Sequence, residues 1–277
     1  MSIPPGHAVG ASLGASVALV SSLALAACGD DRKLPVPPQA RSAALPLQLL
    51  SAGALESPVD DTIATFEAQS GLGVHAEFDA AGAVRDRIAA GAAVDVAIIT
   101  PAAIAPLVDQ QLVLGARVDL GRIGGGVAVR ATSEAPAIAT EDQFRQALLD
   151  ADEIYYADPA KATAGAAFVQ ITRTLGIAEQ VAAKSHLASG GKDAMQQLAA
   201  STAPRALGVT QISEIRSVPQ VKLVGEYPGA LQVKTTYAAI VVAATTRVDD
   251  ARQLVQFFTG PEFQARLAQS GFEPVAP

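Results

Sequence analysis

The sequence predicts an α/β protein with two domains, and three observations support this prediction. From residue 45 onward, short apolar segments alternate with amphipathic segments of helical period, as strand-loop-helix units do. The chain of 277 residues is long enough for two such domains, each with its own core. Hydrophobic residues make up 50% of the chain and charged residues only 17%, which is typical of a folded protein.

Residues 45–99 predict three strands separated by two helices. Alternating leucines from Leu45 favour the first strand, and Ser57 with Pro58 predicts the start of the first helix, with the serine as its N-cap. Residues 94–99 form a nearly continuous apolar run, which is typical of a buried parallel strand. The order of these elements therefore predicts a parallel sheet in the first domain.

The loops that follow the first two strands carry a chemical prediction. In an open parallel sheet such loops gather at one edge, and each leads into a helix N-terminus, where free amides and the helix dipole favour an anion. Loops 51–54 and 79–82 consist mainly of Gly and Ala, so a ligand can approach the backbone closely. The same small residues also suit an ordinary βαβ scaffold, and the pattern alone leaves both interpretations open.

The second domain is predicted to begin after Gly124–Gly126. No Gly-Lys-Ser or Gly-Lys-Thr follows these glycines, so a hinge or a close strand crossing fits them better than a phosphate loop. The next helix is predicted to start with a capping box formed by Thr140 and Gln143. A further strand-loop-helix unit follows at 154–175. Apolar residues 235–244 predict a strand that crosses back to the first domain, and two helices follow it.

Residues 1–28 resemble an export signal. An apolar stretch from Ala8 leads to Leu25–Ala27 and then Cys28, which resembles the lipobox of a bacterial lipoprotein signal peptide. Lipidation of Cys28 would anchor an exported, periplasmic or extracytoplasmic protein to the membrane, with residues 29–44 as a tether. A plain signal peptide or a single membrane anchor is the alternative, since no Lys or Arg precedes the apolar stretch.

Composition and motifs argue against several classes of function. The net charge of −7 and the lack of a basic stripe argue against a nucleic-acid-binding protein. The chain has a single cysteine and no His-Glu-x-x-His, Cys-x-x-Cys or cysteine-histidine cluster, so we predict no metal site and no cofactor. These absences favour the binding of a small ligand over metal-dependent chemistry.

Six segments of the chain, taken in order, carry a family resemblance. They are SAGALESPVDDTIATFEAQSG, FDAAGAVRDRIAAGAAVDVAI, DPAKATAGAAF, GKDAMQQLA, LGVTQISEI and LVQFFTGPEFQARLAQSGFEP. No single segment is specific, but the ordered series resembles the periplasmic molybdate-binding protein family of ABC importers, over residues 45–277. The resemblance implies that the chain captures a small anion and delivers it to an ABC transporter permease.

The architecture implied by the resemblance is a bilobal type II periplasmic-binding-protein fold. Domain 1 would comprise residues 45–126 and 236–277, and domain 2 would comprise residues 127–235. Two crossing segments would join the domains, and the ligand would lie in the cleft between them. Closure around the ligand is expected to use hinges near residues 122–130 and 232–240.

The resemblance also assigns positions in the binding site. Proteins of this family bind their oxyanion through two serine hydroxyls and backbone amides, and the two serines fall at Ala54 and Ala81 in this chain, so both hydroxyls are missing. The backbone donor of the second domain falls at Ala164, and a second amide position falls near Lys192. The tyrosine of the family falls at Gln211.

These departures change the expected ligand. Each hydrogen bond to a charged group is worth roughly 1.5–3 kcal/mol, so the loss of two hydroxyl donors makes molybdate a poor fit. Arg85 and Lys192 are candidate cations at helix starts, and a guanidinium suits a carboxylate, which favours an organic di- or tricarboxylate. Both residues also fit ordinary solvated helix positions. The remaining expected ligand contacts are Gly82, Thr163, Thr210 and Tyr237.

An enzymatic alternative remains open. Aconitate isomerase, a periplasmic enzyme, also resembles this binding-protein family, and its allylic proton shift needs an acid or base beside the carbon chain. Glu56, Asp79 and Tyr237 are the candidates, although no motif marks them out. The sequence therefore predicts a binding protein for a small anion, molybdate-like or carboxylate, with an isomerase as the alternative.

Overall fold

The computed structural model describes residues 45–275, which form two five-stranded mixed sheets covered by helices. The predictions of a lipidated Cys28 and of a tether at 29–44 lie outside the described residues. In chain order the elements are β1 (Leu47–Ala52), α1 (Glu56–Ser70), β2 (Val74–Asp79), α2 (Ala81–Ala89), β3 (Val96–Ile99), α3 (Pro101–Asp109), β4 (Val113–Ile123), β5 (Gly125–Arg130), α4 (Glu141–Asp150), β6 (Glu153–Ala157), α5 (Thr163–Thr174), α6 (Ala178–Ala182), β7 (Ser185–Ala188), α7 (Gly191–Ala200), β8 (Ala206–Gln211), α8 (Ile212–Arg216), β9 (Val221–Glu226), β10 (Thr235–Val242), α9 (Val248–Phe258) and α10 (Pro261–Gln269).

The two sheets define two lobes. Lobe 1 has the strand order β2-β1-β3-β10-β4, in which β1 is parallel to β2 and β3, and β10 is antiparallel to β3 and β4. Lobe 2 has the order β7-β6-β8-β5-β9, in which β6 is parallel to β7 and β8, and β5 is antiparallel to β8 and β9. Because parallel strands end at the same edge of a sheet, the loops after them gather there in each lobe.

The chain crosses between the lobes twice, and the two crossings are bonded to each other. β4 ends at Ile123 and β5 begins at Gly125, while the return leads from β9 to β10. The side chain of Gln232 donates from Nε2 to the Gly125 carbonyl at 3.0 Å and accepts from the Gly125 N–H at 3.1 Å. A Cβ on Gly125 would lie 2.2 Å from Cε2 of Tyr227. Glycine is therefore required here by a close crossing.

Each lobe has its own apolar core. In lobe 1, Leu50, Ile98 and Phe258 are at most 2% exposed, and in lobe 2 Phe144 and Phe168 are fully buried. The burial of each such side chain contributes about 1.5–3 kcal/mol, so either lobe can hold its shape while the space between the lobes changes. Among the helices of residues 45–275, none combines the length and the hydropathy needed to span a bilayer.

The predicted N-cap of the first helix is wrong. A 3-10 turn, Gly53–Leu55, continues directly into α1, whose N-cap is Leu55 and has no capping side chain. Because the turn already sets the backbone on a helical path, α1 begins at Glu56, one residue before the serine that was expected to cap it. Ser57 instead donates to Asp61 at 3.4 Å.

Two further helices begin earlier than the sequence predicts. α2 starts at Ala81 and α5 at Thr163, so residues that were expected in loops form the first turns of helices. Their N-caps have no side-chain hydrogen bond, which removes the usual sequence signal of a helix start. The capping box of α4 is confirmed: Thr140 Oγ1 accepts from the Gln143 N–H at 3.2 Å, and Gln143 Oε1 accepts from the Thr140 N–H at 3.3 Å.

Candidate functional site

A cavity of about 310 Å³ lies between the two lobes, at the edges where the loops after the parallel strands gather. Lobe 1 contributes the 3-10 turn after β1, the end of β2 and the start of α2. Lobe 2 contributes the starts of α5 and α7 and one side chain of α8, and Tyr237 reaches the cavity from β10. The cavity is thus built from segments that are distant in the sequence.

Four helical segments begin at the wall of this cavity. Their first residues are Gly53, Ala81, Thr163 and Gly191. The N-cap residues of α2, α5 and α7 are alanine or glycine and make no side-chain cap, and the first-turn amides of Gly82 and Gly191 bond instead to the Lys161 carbonyl and to the Glu214 carboxylate. The other first-turn amides, together with the helix dipoles, make this wall favourable for negative charge.

The lobes are in direct contact around the cavity, so the cleft is closed. The Gly82 N–H of α2 donates to the carbonyl oxygen of Lys161 in lobe 2 at 2.9 Å. The Lys192 ammonium of α7 pairs with the Glu56 carboxylate of α1. A small cluster of alanines from both lobes completes the contact. It consists of Ala80 and Ala83 from lobe 1 and Ala157 and Ala162 from lobe 2.

The charged groups of the cavity wall are mostly acidic. Lys192 is the one cationic side chain among the described residues that line the cavity, and its ammonium group forms an ion pair with Glu56. Asp79 accepts from the Ala80 N–H at 2.7 Å. Asp193, at the start of α7, accepts from Ser189 through both the backbone N–H and the hydroxyl.

Glu214 is the acidic residue that the sequence did not single out. It lies in the first turn of α8, is only 8% exposed and lines the cavity. Burial raises the pKa of its carboxyl above the usual range, and the nearby Glu56 carboxylate adds to this rise. The carboxylate also accepts hydrogen bonds from the Thr210 hydroxyl and from the backbone amides of Gln211 and Gly191, and these bonds lower its pKa.

The position of the Glu214 carboxylate depends on two glycines from opposite lobes. A Cβ on Gly191 would lie 2.1 Å from both Glu214 Oε2 and Thr210 Oγ1, so only glycine admits the carboxylate to the start of α7. A Cβ on Gly53 would lie 3.3 Å from Glu214 Oε1. One carboxylate oxygen therefore faces donors of lobe 2, and the other faces the first turn of lobe 1. The sequence offers one faint signal, a Glu three residues after Gln211, but nothing local indicates its burial.

Several residues predicted for the site line the cavity. They are Ala81, Thr163, Lys192 and Tyr237, together with Glu56 and Asp79, which were named for the enzymatic alternative. Tyr237 is 3% exposed, and burial, with the nearby Glu214 carboxylate, raises its pKa. It is therefore uncharged at neutral pH and can donate a hydrogen bond.

Other predicted residues lie beside the cavity without lining it. Ala54 is buried behind the wall, and the amide of Gly82 is already bonded to Lys161. The guanidinium of Arg85 pairs with Asp86 on the same helix, at 2.6 Å. Ala164 and Gln211 line a separate cavity of about 10 Å³, where Gln211 Nε2 donates to Thr235 Oγ1 at 3.1 Å, and Thr210 is bonded to Glu214.

Among residues 45–275, no group of three or more His, Cys, Asp or Glu side chains is arranged to hold a metal ion. The carboxylates of the cavity bond instead to Lys192, to Thr210 and to backbone amides, as described above. The arrangement can receive a small molecule through hydrogen bonds and one ammonium group, and it contains buried groups able to give or take a proton.

Comparisons with known proteins agree with this geometry. Residues 47–273 match the family model for bacterial extracellular solute-binding proteins. The chain is 27% identical over 237 residues to an aconitate isomerase from Pseudomonas sp, and the match covers 83% of this chain and 88% of that protein.

Two solved structures share the fold. The periplasmic molybdate-binding protein of Azotobacter vinelandii superposes with a TM-score of 0.69 at 22% identity, covering 83% of this chain and 99% of that one. The sulfate-binding protein of Mycobacterium tuberculosis H37Rv superposes with a TM-score of 0.70 at 17% identity, covering 83% and 87%. The bilobal periplasmic-binding-protein fold predicted from the sequence is thereby confirmed. Since the family model spans nearly the whole of the described chain, this protein belongs to the bacterial extracellular solute-binding proteins.

Proposed function

We propose that this protein captures a small organic anion of the di- or tricarboxylate class and delivers it to an ABC importer. The observation that carries the proposal is the convergence of four helical starts and Lys192 on one cavity between lobes that are in contact. Solved structures of the same fold include binding proteins for molybdate, for sulfate and for thiamin, so the fold is compatible with a small anion and the helix starts of this cavity favour one.

The wall of the cavity favours a carboxylate over a tetrahedral oxyanion. Ala81 lines the cavity without a hydroxyl, and Ala54 lies behind the wall. The cavity of about 310 Å³ is at the lower end of the range of about 300–1,000 Å³ that small-molecule pockets occupy, which suits a compact metabolite. Lys192 and Thr163 can bind carboxylate oxygens from the side of lobe 2, while the amides of the first turns complete the contact.

Capture would proceed by closure of the two lobes. In the open state the ligand reaches the helix starts, and closure then forms the contacts between Gly82 and Lys161 and between Glu56 and Lys192. The two crossings, which are bonded to each other through Gln232, are the segments able to bend without disturbing either core. The closed lobes present one fixed surface to a permease, which would distinguish the loaded protein from the empty one.

The ligand class can be tested by thermal unfolding of the purified protein. Citrate, trans-aconitate, molybdate, tungstate and sulfate are added separately, and a ligand present at 100 times its Kd stabilises the folded state by about 2.7 kcal/mol. We expect a rise in Tm with carboxylates and none with the tetrahedral oxyanions. A rise with molybdate and none with any carboxylate would contradict the proposal.

A second candidate function is isomerisation of aconitate. It is favoured by the match to an aconitate isomerase over 83% of the chain and by the carboxylates of Glu214 and Asp79 in the cavity. In the allylic shift, a base takes a proton from the methylene carbon, the double bond moves by one position, and a proton is returned to the far carbon. No net proton, electron or cofactor is consumed.

Turnover separates the two candidates. Purified protein is incubated with trans-aconitate in D₂O, cis-aconitate is measured by chromatography, and deuterium in the carbon chain is measured by mass spectrometry. Appearance of cis-aconitate at a rate proportional to the protein concentration would establish the enzyme. Binding of trans-aconitate without product and without deuterium would leave the solute-binding function.

Attachment to the membrane is proposed from the sequence around Cys28. Labelled palmitate should be incorporated into the full-length protein expressed in bacteria, and Cys28→Ser should abolish the label. Equal labelling of both proteins would remove the lipid anchor from the proposal.

A further inference from the structure

The carboxylate of Glu214 occupies part of the region where a ligand's negative charge is expected. It lies between the start of α7 at Gly191 and the 3-10 turn at Gly53, which come from opposite lobes. Thr210 donates to Oε2, and the close approach of Gly191 is to the same oxygen. Oε1 is the oxygen that faces lobe 1. A ligand anion in the cavity therefore has a carboxyl group of the protein as its neighbour.

The other charged groups that face Glu214 do not neutralise it. The charged groups that share the cavity with it are Glu56 on α1, Asp79 at the end of β2, and Lys192 and Asp193 on α7. Its uncharged titratable neighbours are Tyr237 on β10 and Tyr227, which follows β9. The ammonium of Lys192 is already paired with Glu56. Two carboxylates in one buried site cannot both stay ionised without a large cost, and the usual result is one shared proton.

We propose that Glu214 takes up one proton as an anionic ligand enters and then donates a hydrogen bond from its carboxyl to a ligand oxygen. The inference rests on the proposed function, because it requires a carboxylate or similar anion in this cavity. The proton comes from solvent and stays on Oε1, while Oε2 keeps the hydrogen bond that the Thr210 hydroxyl donates. No covalent bond to carbon forms or breaks.

Burial supports this assignment, since it raises the pKa of Glu214 even before a ligand is present. The alternative is that Glu214 only caps α8, accepting from the amide of Gln211 as the N3 residue of a capping box does. A capping residue stabilises the fold but takes up no proton when the ligand binds. Proton uptake is thus the property that separates the two roles.

The experiment is calorimetric titration with trans-aconitate, or with citrate if that binds better, at several pH values between about 6 and 9. At each pH, two buffers of different ionisation enthalpy give the number of protons taken up on binding. We compare wild type with Glu214→Gln, and the matched control is Glu179→Gln, which is exposed on α6. The ligand's own titration is the same for all three proteins and cancels in the comparison.

We expect wild type and the control to take up more protons than Glu214→Gln, with the difference rising toward one as the pH increases. Over the same range the affinity of wild type should fall by up to about tenfold per pH unit relative to Glu214→Gln. If the variant does not fold, the proton number of wild type, corrected for the ligand, decides: a value near one supports the proposal, and a value near zero at every pH overturns it. Equal uptake by wild type and Glu214→Gln also overturns it, while the proposed function stands. Failure of every carboxylate to bind at any pH would instead refute the proposed function and this inference with it.

Discussion

Replacement of Gly82 by alanine tests whether closure of the lobes governs binding. In the closed structure a Cβ at this position would lie 2.6 Å from the carbonyl oxygen of Lys161 and 3.3 Å from its carbonyl carbon. Both atoms belong to the backbone of the opposite lobe, so a change of side-chain rotamer cannot relieve the clash. The same contact includes the hydrogen bond from the Gly82 N–H at 2.9 Å, which must lengthen if the lobes separate.

The magnitude follows from the cost of overpacking. Extra carbon in a packed region typically costs about 1–3 kcal/mol, and here the cost applies only to the closed state, because the open state separates the two residues. Ligand affinity should therefore fall by about 5- to 150-fold in Gly82→Ala. The stability of the unliganded protein should not fall in parallel, since the open state avoids the clash and alanine favours α2 over glycine by up to about 1 kcal/mol.

The assay combines calorimetric affinity with small-angle scattering of the ligand-saturated protein. Gly73→Ala is the matched control, because its Cβ would make an ordinary contact of 3.5 Å with Pro46, in lobe 1 and outside the cavity wall. We expect Gly82→Ala to show weaker binding and a larger radius of gyration than the control at saturating ligand. If Gly82→Ala binds and closes as wild type does, the contact between Gly82 and Lys161 has no part in closure.

Three further predictions concern charge and local structure. Lys192→Met should weaken carboxylate binding by about tenfold or more, since a hydrogen bond to a charged group is worth at least about 1.5 kcal/mol. Lys222 is exposed on β9, and in the same titration Lys222→Met should bind the carboxylate as wild type does. The pKa of Glu214 lies above its ordinary value of 4.5, so in the pH window above 4.5 the folded protein holds more protons than the unfolded chain. The Tm of wild type relative to Glu214→Gln should therefore decline as the pH rises through this window, and a constant difference would contradict the prediction. Thr140→Ala removes the capping box with Gln143 and should lower the free energy of unfolding by about 1 kcal/mol in a denaturant titration, with ligand affinity unchanged.

Local features of the site were predictable from the sequence. Lys192 stands at the start of α7, and the glycines before the apolar period of that helix are enough to predict it there, whereas Thr163 is predicted in a loop and instead begins α5. The glycines near 124–126 were predicted to form a hinge or a close strand crossing, and the structure shows a close crossing at Gly125. These inferences depend on neighbours within a few positions along the chain.

Contacts between the lobes could not be predicted in this way. Glu56 and Lys192 are 136 positions apart, and only their meeting across the cleft turns two helix residues into an ion pair. Arg85 was a reasonable candidate for an anion ligand, but it pairs with Asp86 instead of lining the cavity. Gly82 is predicted to contact the ligand, but in the structure its N–H donates to the carbonyl oxygen of Lys161 in the opposite lobe.

The amino-acid pattern by itself determined the α/β class and most of the order of strands and helices, although it gave no sign of β4, and it determined that loops of small residues lead into helix starts that favour negative charge. These properties arise from backbone preference and apolar periodicity, which act over one or two helical turns. Tertiary structure alone decided that Glu214 is buried among those helix starts. Gly53 and Gly191 approach its carboxylate from opposite lobes, and burial at this meeting point raises the pKa of the carboxyl.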